Sequence, residues 1–141
     1  MILLDTNILA EMMKPGPSQA VVTWLDSMPV SDFCICAITR AEIELGIALL
    51  PQGRRRQGLA MSAQKMFSFF EGRCLPFEET ATVLFASIFA ARQQAGRPIS
   101  TEDAQIAAIA LVHGMKLATR NVKDFDLIDG LSLINPWNQL A

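Results

Sequence analysis

Short runs of consecutive apolar residues alternate along the chain with longer stretches whose apolar positions recur every three or four residues. Residues 2–4 (Ile-Leu-Leu) form the first run and stop at Asp5, as a strand buried on both faces would. Residues 6–13 predict a helix, halted by Lys14-Pro-Gly-Pro17. Ser18 is placed to cap a second helix with Val21, Val22, Trp24 and Leu25 on one side, ended by Met28-Pro29. Residues 33–38 predict a second strand, followed by a helix from Thr39 to about Leu50 that Pro51-Gln-Gly53 breaks. A longer amphipathic helix is expected from Arg54 to about Glu71, and residues 74–77 form a brief third strand or a loop. Residues 78–95 and 100–113 predict two more helices, the first ended by Gly96 and Pro98, the second with Gly114 in the C-cap position. Residues 116–118 give a fourth strand, 121–126 a short helix or turn, and 131–134 a last strand.

Strands that alternate with helices in this way build right-handed βαβ units. The expected fold is α/β, a three-layer α/β/α domain over residues 1–141 with a mostly parallel sheet of four to five strands. In such sheets ligands bind beyond the carboxyl ends of the strands, so the strand exits are where chemistry is expected.

Polar residues gather at those exits. The first strand leads into Asp5-Thr-Asn7, the second into Thr39-Arg-Ala-Glu42 and the fourth into Thr119-Arg-Asn121-Val-Lys-Asp124, while another helix opens Ser100-Thr-Glu-Asp103. Helix capping accounts for each alone: Thr39-x-x-Glu42 fits a capping box, Ser100-x-x-Asp103 and Asn121-x-x-Asp124 are weaker versions, and Asp5 or Thr6 fits a plain N-cap. Asp5 resists that account most, because it follows directly on three hydrophobic residues. Carboxylates drawn to one sheet edge would repel one another unless a cation sat between them. Hard oxygen donors suit Mg²⁺ or Mn²⁺, and the chemistry that follows is phosphodiester hydrolysis.

Composition narrows the setting. Hydrophobic residues make up 51% of the 141 and charged residues 18%, which excludes a disordered chain and leaves apolar surface for a partner or a second copy. A net charge of −2 counts against a protein that grips nucleic acid along its backbone, though not against one that meets phosphate through a metal ion. Cys34, Cys36 and Cys74 are expected as buried thiols in a reducing compartment. The amino-terminal stretch lacks the basic start of a signal peptide, and no apolar run is long enough for a bilayer. A cytoplasmic protein without a membrane segment is expected.

The motifs Met-Ile-Leu-Leu-Asp5-Thr-Asn7, Ile-Thr39-Arg-Ala-Glu42-Ile-Glu-Leu-Gly46, Asp103-Ala-Gln-Ile-Ala-Ala108 and Ala-Thr119-Arg-Asn121 resemble, in order and spacing, those of PIN-domain ribonucleases. The resemblance covers essentially the whole chain. It is to the VapC-type toxins of toxin–antitoxin pairs, in their FitB-like branch, which the terminal Ile-Asn-Pro-Trp137 supports. It implies a parallel sheet between helices and an acidic quartet holding one or two Mg²⁺ or Mn²⁺ ions that cleave RNA. It also implies a cognate VapB/FitA-like antitoxin, and a homodimer is expected. Carried onto this chain, Asp5, Glu42 and Asp103 match three of the four acids, with Asp5 and Asp103 toward the metal, and Thr6 and Thr119 match hydroxyls that orient carboxylates or water.

The fourth position departs from the family, since Asn121 stands where FitB-like relatives usually carry Asp. Either Asn121 orients water beside three sufficient carboxylates, or Asp124 reaches in from the next turn. The first is preferred because Asp124 has a capping role available. Arg40 and Arg120 are candidates for holding phosphate, and Arg54-Arg-Arg56 for RNA or partner contact or a solvated face. His113 suits a helix C-terminus better than a general base. A haloacid-dehalogenase-type phosphatase needs an acid at position 7, which is Asn, and a receiver domain needs a phospho-acceptor and lysine pair that is not found. The alternative outside catalysis is a binding module whose acids only cap helices.

Overall fold

The computed structural model describes residues 1–138. In chain order they form β1 (Ile2–Leu4), α1 (Thr6–Met12), α2 (Gln19–Asp26), β2 (Phe33–Cys36), α3 (Ala37–Ala48), α4 (Arg54–Ser68), β3 (Cys74–Leu75), α5 (Glu79–Gln94), α6 (Thr101–Val112), β4 (Lys116–Ala118), α7 (Val122–Phe125) and β5 (Leu133–Ile134). The strands form one sheet in the order β3-β2-β1-β4-β5, and every pairing is parallel. β1 lies at the centre, with Leu3 beside Cys34 on one flank and Leu117 on the other.

Strand alternation divides the core in two. Ile2, Leu4, Phe33 and Ile35 pack beneath α1, α2, α3 and α4. Leu3, Cys34, Cys36 and Leu117 point to the opposite face, against α5, α6 and Phe125 of α7. That is the three-layer arrangement expected from the pattern, and it explains why β1 is apolar at every position. Cys34 and Cys36 are buried and Cys74 half-buried, all three as free thiols.

Helix ends follow local chemistry. Gly96 and Gly114 take positive φ (72° and 63°) just past α5 and α6. In each case the next amide reaches back, Arg97 N–H to the Arg92 carbonyl and Met115 N–H to the Ala110 carbonyl, closing Schellman motifs. His113 is the residue at which α6 closes. At α2 the expected Ser18 hydroxyl cap is not what forms. The buried Glu11 carboxylate accepts from the Ser18 N–H at 2.8 Å and takes over the role of anchoring that helix start.

The largest difference from the expected elements lies after β2. The apolar run 33–38 does not stay extended, because the strand ends at Cys36 and Ile38 enters the first turn of α3 to pack on the α5–α6 side. An uninterrupted apolar run carries no period that separates strand from buried helix. α4 likewise stops at Ser68 rather than Glu71, with Phe70 turned into the core. Among the described residues, no helix is long and apolar enough to cross a membrane.

Candidate active site

Asp5 leaves β1 at the centre of the carboxyl edge, with its own N–H still in the sheet and bonded to the Ala118 carbonyl at 2.9 Å. It is the N-cap of α1 and only 5% exposed. Its Oδ1 accepts from the Thr6 N–H at 2.8 Å, and its Oδ2 accepts from the Thr119 hydroxyl at 2.8 Å and from Asn7 Nδ2 at 3.4 Å. Thr119 is fully buried at the exit of β4 and in turn accepts from the Asn121 N–H at 3.1 Å. Asn7 accepts from the Arg120 N–H at 3.2 Å, so α1 and the β4 exit are tied together around one carboxylate. Asn7 is the site residue that motif reasoning missed: it entered only as part of a sequence signature, and its two-residue offset from Asp5 was the available signal.

Glu42 comes to the same edge from α3. The expected Thr39–Glu42 capping box does not form, because the helix begins two residues earlier. Thr39 sits at the third helical position and closes a box with Cys36, accepting from its N–H at 3.3 Å. Glu42 is thereby free of any role at the helix start, and its Oε1 accepts from the Thr6 hydroxyl at 2.9 Å across 36 residues. On the α6 side, Ser100 caps through its hydroxyl, which accepts from the Asp103 N–H at 3.1 Å.

The acids feel one another. Burial raises the Asp5 carboxyl against the pull of the Thr119 and Thr6 hydrogen bonds, and the Asp124 charge raises it further. Burial raises Glu42, which the Thr6 hydroxyl opposes and the charges of Asp5 and Glu102 reinforce. Asp103 is pushed up to about 7, first by burial and then by Asp5, Asp124 and Glu42. Among the described residues the ion pairs are Lys14–Glu11 and Arg97–Asp126, and neither touches these acids. The acids are near enough to repel, yet among the described residues no three His, Cys, Asp or Glu side chains stand ready-gathered to hold a metal ion.

With this edge defined, known proteins supply the comparison. The PIN domain family matches residues 2–131. The chain belongs to the PIN-domain family. Toxin FitB of Neisseria gonorrhoeae is 40% identical over 98% of this chain and 99% of its own. The VapC ribonuclease Y4jK of Sinorhizobium fredii is 37% identical over 97% of this chain and 98% of its own. Among solved structures, FitAB bound to the IR36 DNA fragment superposes with a TM-score of 0.89 at 39% identity, covering 100% of this chain and 99% of that one. This PIN chain is therefore similar throughout to FitB- and VapC-type proteins, as its motifs led one to expect.

The remaining sequence candidates fall on both sides of the PIN edge. Asn121 heads α7 without a side-chain cap, and its backbone N–H, rather than its amide, is what reaches Thr119. Asp124 is exposed one turn on, and its charge adds to the rise of both Asp5 and Asp103. Arg40 lies over the Phe67 ring at 4.3 Å, and Arg120 over the Trp137 ring at 4.9 Å. Both guanidiniums stack on aromatic rings. Arg54 and Arg55 are exposed at the start of α4.

Proposed function

We propose that this PIN domain is a Mg²⁺- or Mn²⁺-dependent ribonuclease that hydrolyses RNA phosphodiester bonds in the cytoplasm as the toxin of a VapBC-type toxin–antitoxin pair. The observation that carries the reading is that Thr6 ties Asp5 and Glu42 together at the carboxyl edge of the sheet, where burial and then the charges of neighbouring acids raise Asp103, and no cation of the described residues is paired with these carboxylates. An all-carboxylate donor set of this kind fits a hard divalent cation in type and charge. Asp5 and Asp103 would hold it, with Glu42 and Asp124 drawn in beside them. Such an ion supplies a polarised phosphate oxygen and an acidified water. The chain's own contribution is positional. Thr119 and Asn7 fix the rotamer of Asp5, and Thr6 holds Glu42 toward it.

An antitoxin is supported by an apolar groove of about 400 Å³ lined by Met12, Leu25, Met28, Phe33, Phe69 and Phe70, in which Phe69 remains half exposed. Leu45 on α3, Leu49 just past its end and Val83 on α5 are exposed apolar side chains, which supports a homodimer.

The deciding experiment incubates purified protein with mixed RNAs in Mg²⁺, in Mn²⁺ and in EDTA, beside Asp5→Asn. Cleavage that needs the metal and disappears in the variant is expected. Equal cleavage by both proteins would end the proposal.

A further inference from the structure

Arg92 is the outlier of the second core. Its side chain belongs to the C-terminal turn of α5 and is 4% exposed, yet it pairs with none of the carboxylates among the described residues. A buried guanidinium without a counter-charge is costly unless its donors are met. Here Nε and Nη1 find backbone acceptors: Nε donates to the Arg97 carbonyl at 2.6 Å, and Nη1 donates to the carbonyls of Asp124 at 2.9 Å and Asp126 at 3.0 Å. The second and third of these acceptors belong to α7 and the residue after it, 32 and 34 positions away.

From the outside a second arginine grips the same segment. Arg97 Nη2 reaches both carboxylate oxygens of Asp126, at 2.9 and 3.0 Å, and the Lys123 carbonyl at 3.4 Å. What is gripped has little strength of its own. α7 is a single turn of four residues, too short to persist unaided. The chain leaves it through Leu127 at a φ of 61°, a left-handed conformation that a leucine adopts only when its surroundings impose it. Phe125, buried against the second core, supplies the third fixed point.

We propose that Arg92 and Arg97 form a clasp that positions Asp124 at the acid cluster, so that cation binding at Asp5 depends on two arginines that never touch it. Arg92 and Arg97 are positioning residues, and the inference rests on the metal-dependent reading above. The clasp also explains how a fourth acid can come from an exposed one-turn helix: its main-chain carbonyls, rather than its side chain, are what the fold holds still. Metal sites lose about 10- to 100-fold in affinity when the groups that orient their ligands are removed.

The test is Mn²⁺ affinity of the full chain, measured by calorimetry and by the rise of Tm with Mn²⁺, for wild type, Asp5→Asn, Asp124→Asn, Arg92→Lys, Arg97→Gln and the pair Arg92→Lys/Asp124→Asn. Wild type should bind and Asp5→Asn should not. Arg92→Lys should bind about tenfold more weakly, Arg97→Gln less weakened, and the pair no more weakly than Asp124→Asn alone, because both act through one carboxylate. Losses that multiply in the pair, or a lowered Tm with unchanged Mn²⁺ affinity, would show a merely structural arginine and overturn the clasp. Should Arg92→Lys fail to fold, exposed Arg97→Gln decides alone, since full affinity there overturns the clasp. A wild type that gains nothing from Mn²⁺ would overturn the metal reading together with it, a result distinct from binding that the arginine variants leave untouched.

Discussion

Asp5 and Asp103 carry the same group to the same edge, and their surroundings treat it in opposite ways. Asp5 is nearly sealed, accepts hydrogen bonds from Thr6, Asn7 and Thr119, and grows out of the central strand. Asp103 is half-buried on the first turn of α6, and burial first, then the charges of three neighbouring acids, raise it to about 7. One half of the site is built and the other is loaded with charge. Preorganising one carboxylate by hydrogen bonds fixes where a cation would sit, and leaving the others in repulsion makes its arrival favourable.

Removing the built half should cost most. On the proposed metal-dependent reading, Asp5→Asn is expected to lower RNA cleavage about 10³-fold, the several kcal/mol of charge stabilisation that such a ligand would supply, in a gel assay at saturating Mn²⁺. Thr119→Val keeps the shape but takes the donor from Asp5 and the acceptor from the Asn121 N–H. It should weaken activity and Mn²⁺ affinity about 10- to 100-fold. An unchanged Mn²⁺ titration would mean that Asp5 needs no help to hold its position.

The charged half should answer with the opposite sign in stability. A carboxyl raised from 3.8 to about 7 in the folded state binds its proton more tightly there than in the unfolded chain. Stability of the metal-free protein therefore falls as pH rises between those values, and the whole penalty is present above about 7. Asp103→Asn in EDTA should raise Tm above that pH by about 3 °C, roughly 1 kcal/mol once solvent screening is allowed for, and the gain should vanish below 3.8. A variant equally or less stable at pH 8 would show that the repulsion is already relieved by water. Asn121→Asp adds one more charge to this side and should lower the Mn²⁺ concentration for half-maximal activity by about two- to threefold, the scale of an exposed ion pair. No change would leave Asp124 as the sufficient fourth acid.

Much of this was legible in the chain. The run Ile2–Leu4 ending in Asp5 needs only hydrophobic pattern to place a carboxylate at a strand exit. Gly96 and Gly114 announce the ends of α5 and α6 because they adopt positive φ there. Glu42 is the instructive difference. Its spacing from Thr39 spells a capping box, and only the earlier start of α3, with Ile38 in its first turn packed on the α5–α6 side, breaks that pairing and leaves Glu42 to Thr6. Local spacing cannot see such a shift, because it depends on which face of the sheet a side chain fills.

The sequence by itself determined the alternation of strands and helices, the two-faced burial of β1 and the presence of acids at the exits, since each follows from short-range pattern and turn chemistry. The tertiary structure alone decided that β1 and β4 lie side by side, which brings Thr119 to Asp5 across 114 residues, and that a buried arginine on α5 holds the turn bearing Asp124. Those are long-range contacts whose partners share no local signal. They form because packing the two cores leaves each polar group one place in which its hydrogen bonds can be met.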